Sequence, residues 1–151
     1  MNNQSPVVLE MLFTRSTRQI LSMCEVASNT ETKWHEFLAV WDSGANVCAI
    51  SHEVIDKCGL TPVGQMKVLL DGKIQHRPKY LISLSLAHGV EFCEVVAGDR
   101  EDGDIKVLIG MNVIDQGDFL VLGKEAKAIF RYPSVADGGS GLFLNDTFAQ
   151  S

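Results

Sequence analysis

Asp42-Ser43-Gly44 is the stretch of this chain whose residue types and setting invite chemistry. It follows Phe37-Leu38-Ala39-Val40-Trp41, a five-residue apolar run that reads as a strand buried on both faces and stopped by turn formers. A carboxylate at the end of a buried strand is costly to place, because desolvation penalises its charged form unless partners compensate. Acids in such places are useful to catalysis. Asp-Ser-Gly is also ordinary turn chemistry, since Asp and Ser bond their own backbone and Gly accepts positive φ. Context favours the functional reading: a second apolar run, Val47, Ala49 and Ile50, follows at once, and Val107-Leu108-Ile109-Gly110 comes much later.

These segments resemble the retropepsin-like aspartic proteases, the single-domain, retroviral-type branch of that family. The resemblance is carried by Val40-Trp41-Asp42-Ser43-Gly44-Ala45-Asn46-Val47-Cys48-Ala49-Ile50-Ser51 and, later, by Leu108-Ile109-Gly110-Met111-Asn112-Val113-Ile114, and it covers residues 37 to 132. It implies a mainly β, single-domain closed barrel with one or two short helices, spanning residues 1–133, with 134–151 as a glycine-containing tail. It further implies that Asp42 is the catalytic acid, with Ser43 bonding across a two-fold axis and Gly44 letting its backbone approach the carboxylates. Ala45 and Gly110 would pack closely at the base of the site, and Leu108 and Ile109 belong to the apolar segment that packs around the loop. Two-domain pepsin-like enzymes carry two Asp-Ser-Gly-type motifs, whereas this chain has one Asp-Ser-Gly-Ala. The resemblance therefore implies a homodimer, with Asp42 and its mate sharing a proton and a protein or peptide substrate bound as an added strand. No cofactor and no metal are implied.

The elements that must position these residues follow from pattern. Residues 6–13 and 20–27 read as strands of a β-meander that leads, through a turn at 28–32, into the strand ending at Asp42. Ser51 can cap a helix over 52–58, with Glu53 in its first turn, Lys57 in its last and Gly59 stopping it. Residues 65–70 and 73–86 flank Asp71-Gly72, a type I′ hairpin signal. By resemblance, Leu70, Asp71, Gly72, Lys73 and Ile74 form a flap over the substrate, although such tips are usually richer in glycine than this one. A further strand is read at 90–97 and an exposed acidic loop at 98–104. Beyond these lie a buried strand ending at Gly110, a short helix over 111–116, and strands at 119–122 and 126–132. Asp115 and Asp118 read as solvated helix-end acids, and Trp41 as a core aromatic rather than a cleft wall. Asp137-Gly138-Gly139-Ser140-Gly141 is linker-like, and the tail beyond it reads either as disordered or as docking through Leu142, Phe143 and Leu144.

Composition excludes several classes. The net charge of −6 and the absence of any Lys/Arg cluster leave no phosphate-binding face, so nucleic acid is not an expected partner. No apolar run approaches the roughly 20 residues needed to cross a bilayer, and the N-terminus has no secretory signal, so no membrane and a cytoplasmic location are expected. The cysteines at 24, 48, 58 and 93 have no zinc-like spacing with the histidines and are expected as reduced, mostly buried thiols. Cys48 and His52 could share a helix face but lack a second pair, and His35, His76 and His88 read as surface groups. Two other classes stand beside the protease: a catalytically silent dimeric module that binds peptides, and a plain β-barrel binding domain in which Asp-Ser-Gly is a turn.

Overall fold

Strand follows strand along most of the computed structural model, which describes residues 6–30, 33–86, 91–100 and 103–132. The elements are β1 (Val7–Thr14), β2 (Gln19–Ser28), β3 (His35–Trp41), β4 (Ala49–Ser51), α1 (His52–Cys58), β5 (Gly64–Leu70) and β6 (Lys73–Ser85). They continue with β7 (Glu91–Arg100), β8 (Ile105–Ile109), α2 (Met111–Ile114), β9 (Asp118–Leu122), a single 3-10 turn (Gly123–Glu125) and β10 (Lys127–Tyr132). The strands form one sheet in the order β5-β6-β7-β4-β8-β3-β2-β1-β10-β9. The mainly β expectation holds, but the sheet does not close into a barrel. Its end strands, β5 and β9, are not paired with each other. What folds the sheet back on itself is the length of β2, whose last four residues, Glu25 to Ser28, pair with β6.

The apolar run before Asp42 becomes a central strand, with β2 antiparallel on one side and β8 parallel on the other. Phe37, Ala39, Val40 and Trp41 are buried, as a strand covered on both faces must be. Val26, Ile50, Val54, Ile82, Leu84, Val96, Val107, Ile109, Val113 and Phe130 make the fully buried heart of one core. Helix α1 starts where Ser51 Oγ accepts from the Val54 amide, and ends at Gly59, whose φ of 60° lets its N–H turn back to Asp56 and Ile55 carbonyls. The meander is present too, although β1 shares only three register pairs with β2 and six with β10.

Two local expectations are corrected. Gly98-Asp99-Arg100 is not loop: β7 runs through Arg100 and pairs with β4, Ser51 opposite Arg100. Gly98 is buried, and a Cβ there would come 2.9 Å from the Tyr80 ring and 3.2 Å from the Ile55 side chain, so packing overrides turn-forming composition. Asp118 is not a solvated helix-end acid either. It opens β9 and accepts from Arg131 Nε at 3.3 Å and Nη2 at 3.1 Å across the register pair Asp118–Arg131. The proposed tail, with Leu142, Phe143 and Leu144, lies outside the described residues, as do His88 and the side chain of Cys93.

Candidate active site

Between the end of β3 and the start of β4 the chain makes an irregular loop, Asp42 to Cys48, that is fastened to the end of β8 and the start of α2. The Asp42 amide donates to the Ile109 carbonyl at 2.9 Å, one residue beyond the Trp41–Ile109 register pair. Asp42 Oδ1 accepts from the Gly44 amide at 2.8 Å, and the Asp42 carbonyl accepts from Ala45 N at 3.2 Å, so the turn is closed by its own acid. The Ala45 carbonyl accepts from Met111 N at 2.7 Å and the Asn46 carbonyl from Asn112 N at 3.2 Å. The loop thus uses the otherwise orphaned first amides of α2 as donors.

Backbone approaches backbone so closely here that one position tolerates no side chain. A Cβ on Gly110 would stand 2.6 Å from the Val47 oxygen, 2.7 Å from the Val47 carbonyl carbon and 2.8 Å from the Ala45 oxygen. Gly110 itself is in extended backbone at φ −102°, so the requirement is space, not conformation. Beside it, Cys48 is 1% exposed. Asn112 Oδ1 accepts from Cys48 N at 3.0 Å and from Cys48 Sγ at 3.2 Å, while Gly110 N donates to Cys48 Sγ at 3.4 Å. Sequence reasoning set Cys48 and Asn112 within the two motifs and weighed Cys48 only with His52, because neither apolar periodicity nor a local turn pattern marks a pair 64 residues apart.

The predicted site residues divide into two groups. Asp42 and Ala45 lie against Ile109 and Gly110, with Ser43 and Gly44 in the turn between them and Leu108 half-buried one residue earlier and opposite Ala49. Asp42, Ser43 and Gly44 are exposed, while Ile109 and Gly110 are buried, so an exposed acid is carried by a loop tied to a buried strand end. The second group, Leu70, Asp71, Gly72, Lys73 and Ile74, is the tip of the β5–β6 hairpin. Asp71 at φ 52° and Gly72 at φ 74° make the two-residue turn, with Leu70 opposite Lys73. Apolar side chains flank the exposed Asp71 and Lys73 and stand in water: Leu69 is 70% and Ile74 69% exposed.

Trp41, immediately before the acid, is core. Its Nε1 donates to Ser22 Oγ at 2.8 Å, and its ring stacks on Phe119 of β9 with centroids 5.5 Å apart and packs at a tilt on Phe130 of β10. Cys24, Cys48 and Cys58 are buried thiols outside any disulfide. Burial pushes Cys24 up to about 12 and Cys58 up to about 11, so neither is a nucleophile at neutral pH. Cys48 precedes β4 and His52 opens α1, so they do not share a helix, and among the described residues no three His, Cys, Asp or Glu gather as metal ligands. No helix among those residues is long and apolar enough to cross a membrane.

No protein-family model matches the sequence, and no curated protein matches it. Solved structures do. A retropepsin-like aspartic protease from Rickettsia conorii superposes with a TM-score of 0.57 at 18% identity, over 89% of this chain and all of that one. The foamy viral protease-reverse transcriptase matches 63% of this chain and 12% of its own at 18% identity and a TM-score of 0.45. The retroviral protease-like domain of Ddi1 from Leishmania major matches 69% of this chain and 82% of its own at 16% identity and a TM-score of 0.40. The fold is that of the retropepsin-like aspartic proteases.

Proposed function

We propose that this chain is an aspartic endopeptidase of the retropepsin type, with a catalytic dyad made by Asp42 from each of two identical subunits. The observation that carries the reading is the exposed Asp42 carboxylate on a loop fastened to Ile109, Gly110 and the first turn of α2, within a fold shared along nearly the whole chain with such a protease. One carboxylate is half of the chemistry. Proteolysis by acids needs one ionised group to take a proton from water while the water oxygen bonds the scissile carbonyl carbon, and one protonated group to give its proton to the carbonyl oxygen. Collapse of that tetrahedral species returns a proton to the amide nitrogen, breaks the C–N bond and leaves a carboxylic acid and an amine. Two carboxyls that close cannot both be ionised, which is why they share one proton.

A two-fold contact supplies the second acid without a second motif. In that dimer Ser43 bonds across the axis, Gly44 keeps the backbone thin beside the carboxylates, and Leu108 to Gly110 form the floor. The hairpin tip from Leu70 to Ile74 closes over an extended peptide, with exposed Leu69 and Ile74 turned to apolar use when water is expelled. The chain acts in the cytoplasm on a protein or peptide and needs no cofactor. The experiment is incubation with a denatured protein from mildly acidic to neutral pH, wild type against Asp42→Asn, with size-exclusion at micromolar concentration alongside. Cleavage by a dimer that disappears in Asp42→Asn is the expected result. Cleavage indifferent to the substitution rejects Asp42, and cleavage by a strictly monomeric species rejects the shared site.

A further inference from the structure

We infer that the Cys48–Asn112 side-chain pair is a positioning latch that sets where the Asp42 carboxylate stands, an inference that rests on the protease reading above. The loop from Asp42 to Cys48 has no strand partner, so its shape is held by a short series of bonds. At its entry the Asp42 carboxylate itself accepts from Gly44 N, and otherwise the bonds at entry and middle are backbone to backbone, from Asp42 N to Ile109 O, Met111 N to Ala45 O and Asn112 N to Asn46 O, which no side-chain truncation at 46, 111 or 112 removes. At its exit the bonds run through two side chains. Asn112 Oδ1 accepts twice from Cys48, and Cys48 Sγ is also the acceptor for Gly110 N.

The residue types suit the task. Cys48 is buried, so its amide needs an acceptor, and a carbonyl-type oxygen with two lone pairs can serve N–H and S–H together. A thiol can donate to Asn112 and accept from Gly110 at once, which closes a ring linking loop, β8 end and α2. Ala45 and Asn46 stay joined to the first turn of α2 and β4 begins one residue after Cys48, so loss of the pair lets the middle of the loop and the start of α2 shift together against Cys48 and β4, and Asp42 with them. In a site that needs two carboxylates facing each other across an axis, a shift of about 1 Å is worth about a hundredfold in rate.

The test uses the full chain and four proteins: wild type, Asn112→Ala, Cys48→Ala and Cys48→Ser. Each is measured for thermal unfolding, dimer content and the pH profile of kcat and KM on one peptide. Asn112→Ala is expected to lower kcat about ten- to a hundredfold with KM nearly unchanged in protein that is still folded and dimeric. Its acid and alkaline limbs should draw together, because carboxyls held less closely couple less. Cys48→Ala should show a weaker form of the same change, since the amide bond to Asn112 survives. Cys48→Ser, whose hydroxyl donates and accepts in the same places, should restore kcat to within about threefold of wild type. If Asn112→Ala cleaves like wild type, or loses activity only in proportion to lost fold or dimer with an unaltered pH profile, the latch is overturned and the protease reading stands. If wild type itself cleaves nothing, the protease reading fails and the latch with it.

Discussion

Substituting Gly110 by alanine adds one methyl group, and its destination is known. The new Cβ would meet three backbone atoms of the Asp42–Cys48 loop at 2.6, 2.7 and 2.8 Å, whereas ordinary contact begins at 3.4 Å. Backbone cannot rotate aside as a side chain can, so Ala45 to Val47 must retreat from β8 by most of an ångström. The bonds from Met111 N to Ala45 O and Asn112 N to Asn46 O stretch with them. Overpacking of this kind costs about 1–3 kcal/mol. For a domain of this size each kcal/mol lowers the melting temperature by about 2–4 °C. The same displacement moves the turn that carries Asp42, so activity should fall about a hundredfold in protein that remains folded. Thermal melts and peptide cleavage are the assays. Gly123→Ala is the control, since a Cβ there meets nothing within 4 Å, and it should stay within about 0.5 kcal/mol of wild type. A Gly110→Ala protein with wild-type melting temperature and wild-type cleavage would refute the packing described for this loop.

Other perturbations have outcomes of different kinds. Gly72→Val forces a β-branched side chain into φ 74° at the exposed hairpin tip, so it should raise KM while lowering stability by only about 1 kcal/mol. Trp41→Ala removes a ring packed on Phe119 and Phe130 and should cost about 3–5 kcal/mol in urea unfolding. Cys24, raised to about 12 from 9.0 by burial, contributes stability that is fully present below pH 9 and lost as pH rises toward 12. Alkaline unfolding of Cys24→Ala should accordingly be the shallower, and a thiol reagent should label native Cys24 far more slowly than unfolded protein. Glu53 is held below the usual carboxylate range, chiefly by a hydrogen bond with Lys106, so its contribution is present at neutral pH and lost as pH falls. Because that carboxylate is exposed, Glu53→Gln should matter little in low salt and not at all in high salt.

Local chemistry was legible where one residue dictates one conformation. Ser51 and Gly59 bound α1, and Asp71-Gly72 makes the two-residue turn, because a cap and a type I′ turn depend on neighbours in sequence. The run from Phe37 to Trp41 announced a central strand because a short apolar run stopped by turn formers suits a strand covered on both faces. Long-range choices were not legible. Nothing in the residues says that β8 lies parallel to β3, that β2 reaches β6 or that the two end strands stay apart, since these are decided by packing across the whole sheet. Gly98-Asp99-Arg100 misled because turn formers were read without the Tyr80 and Ile55 side chains that fill the space beside Gly98. The Asp42 loop stood out by its own residues and its Gly110 partner through family likeness, whereas Cys48 and Asn112 lie within the two motifs but nothing in the sequence pairs them until their bonds are measured.

Mixing wild type with Asp42→Asn at constant total concentration tests the shared dyad most directly. If each active site needs Asp42 from both subunits and chains exchange freely, cleavage falls as the square of the wild-type fraction, to about a quarter at equal amounts. A fall to a half at equal amounts, in strict proportion to wild-type chain, would mean that each chain works alone, and the two-subunit active site would be wrong.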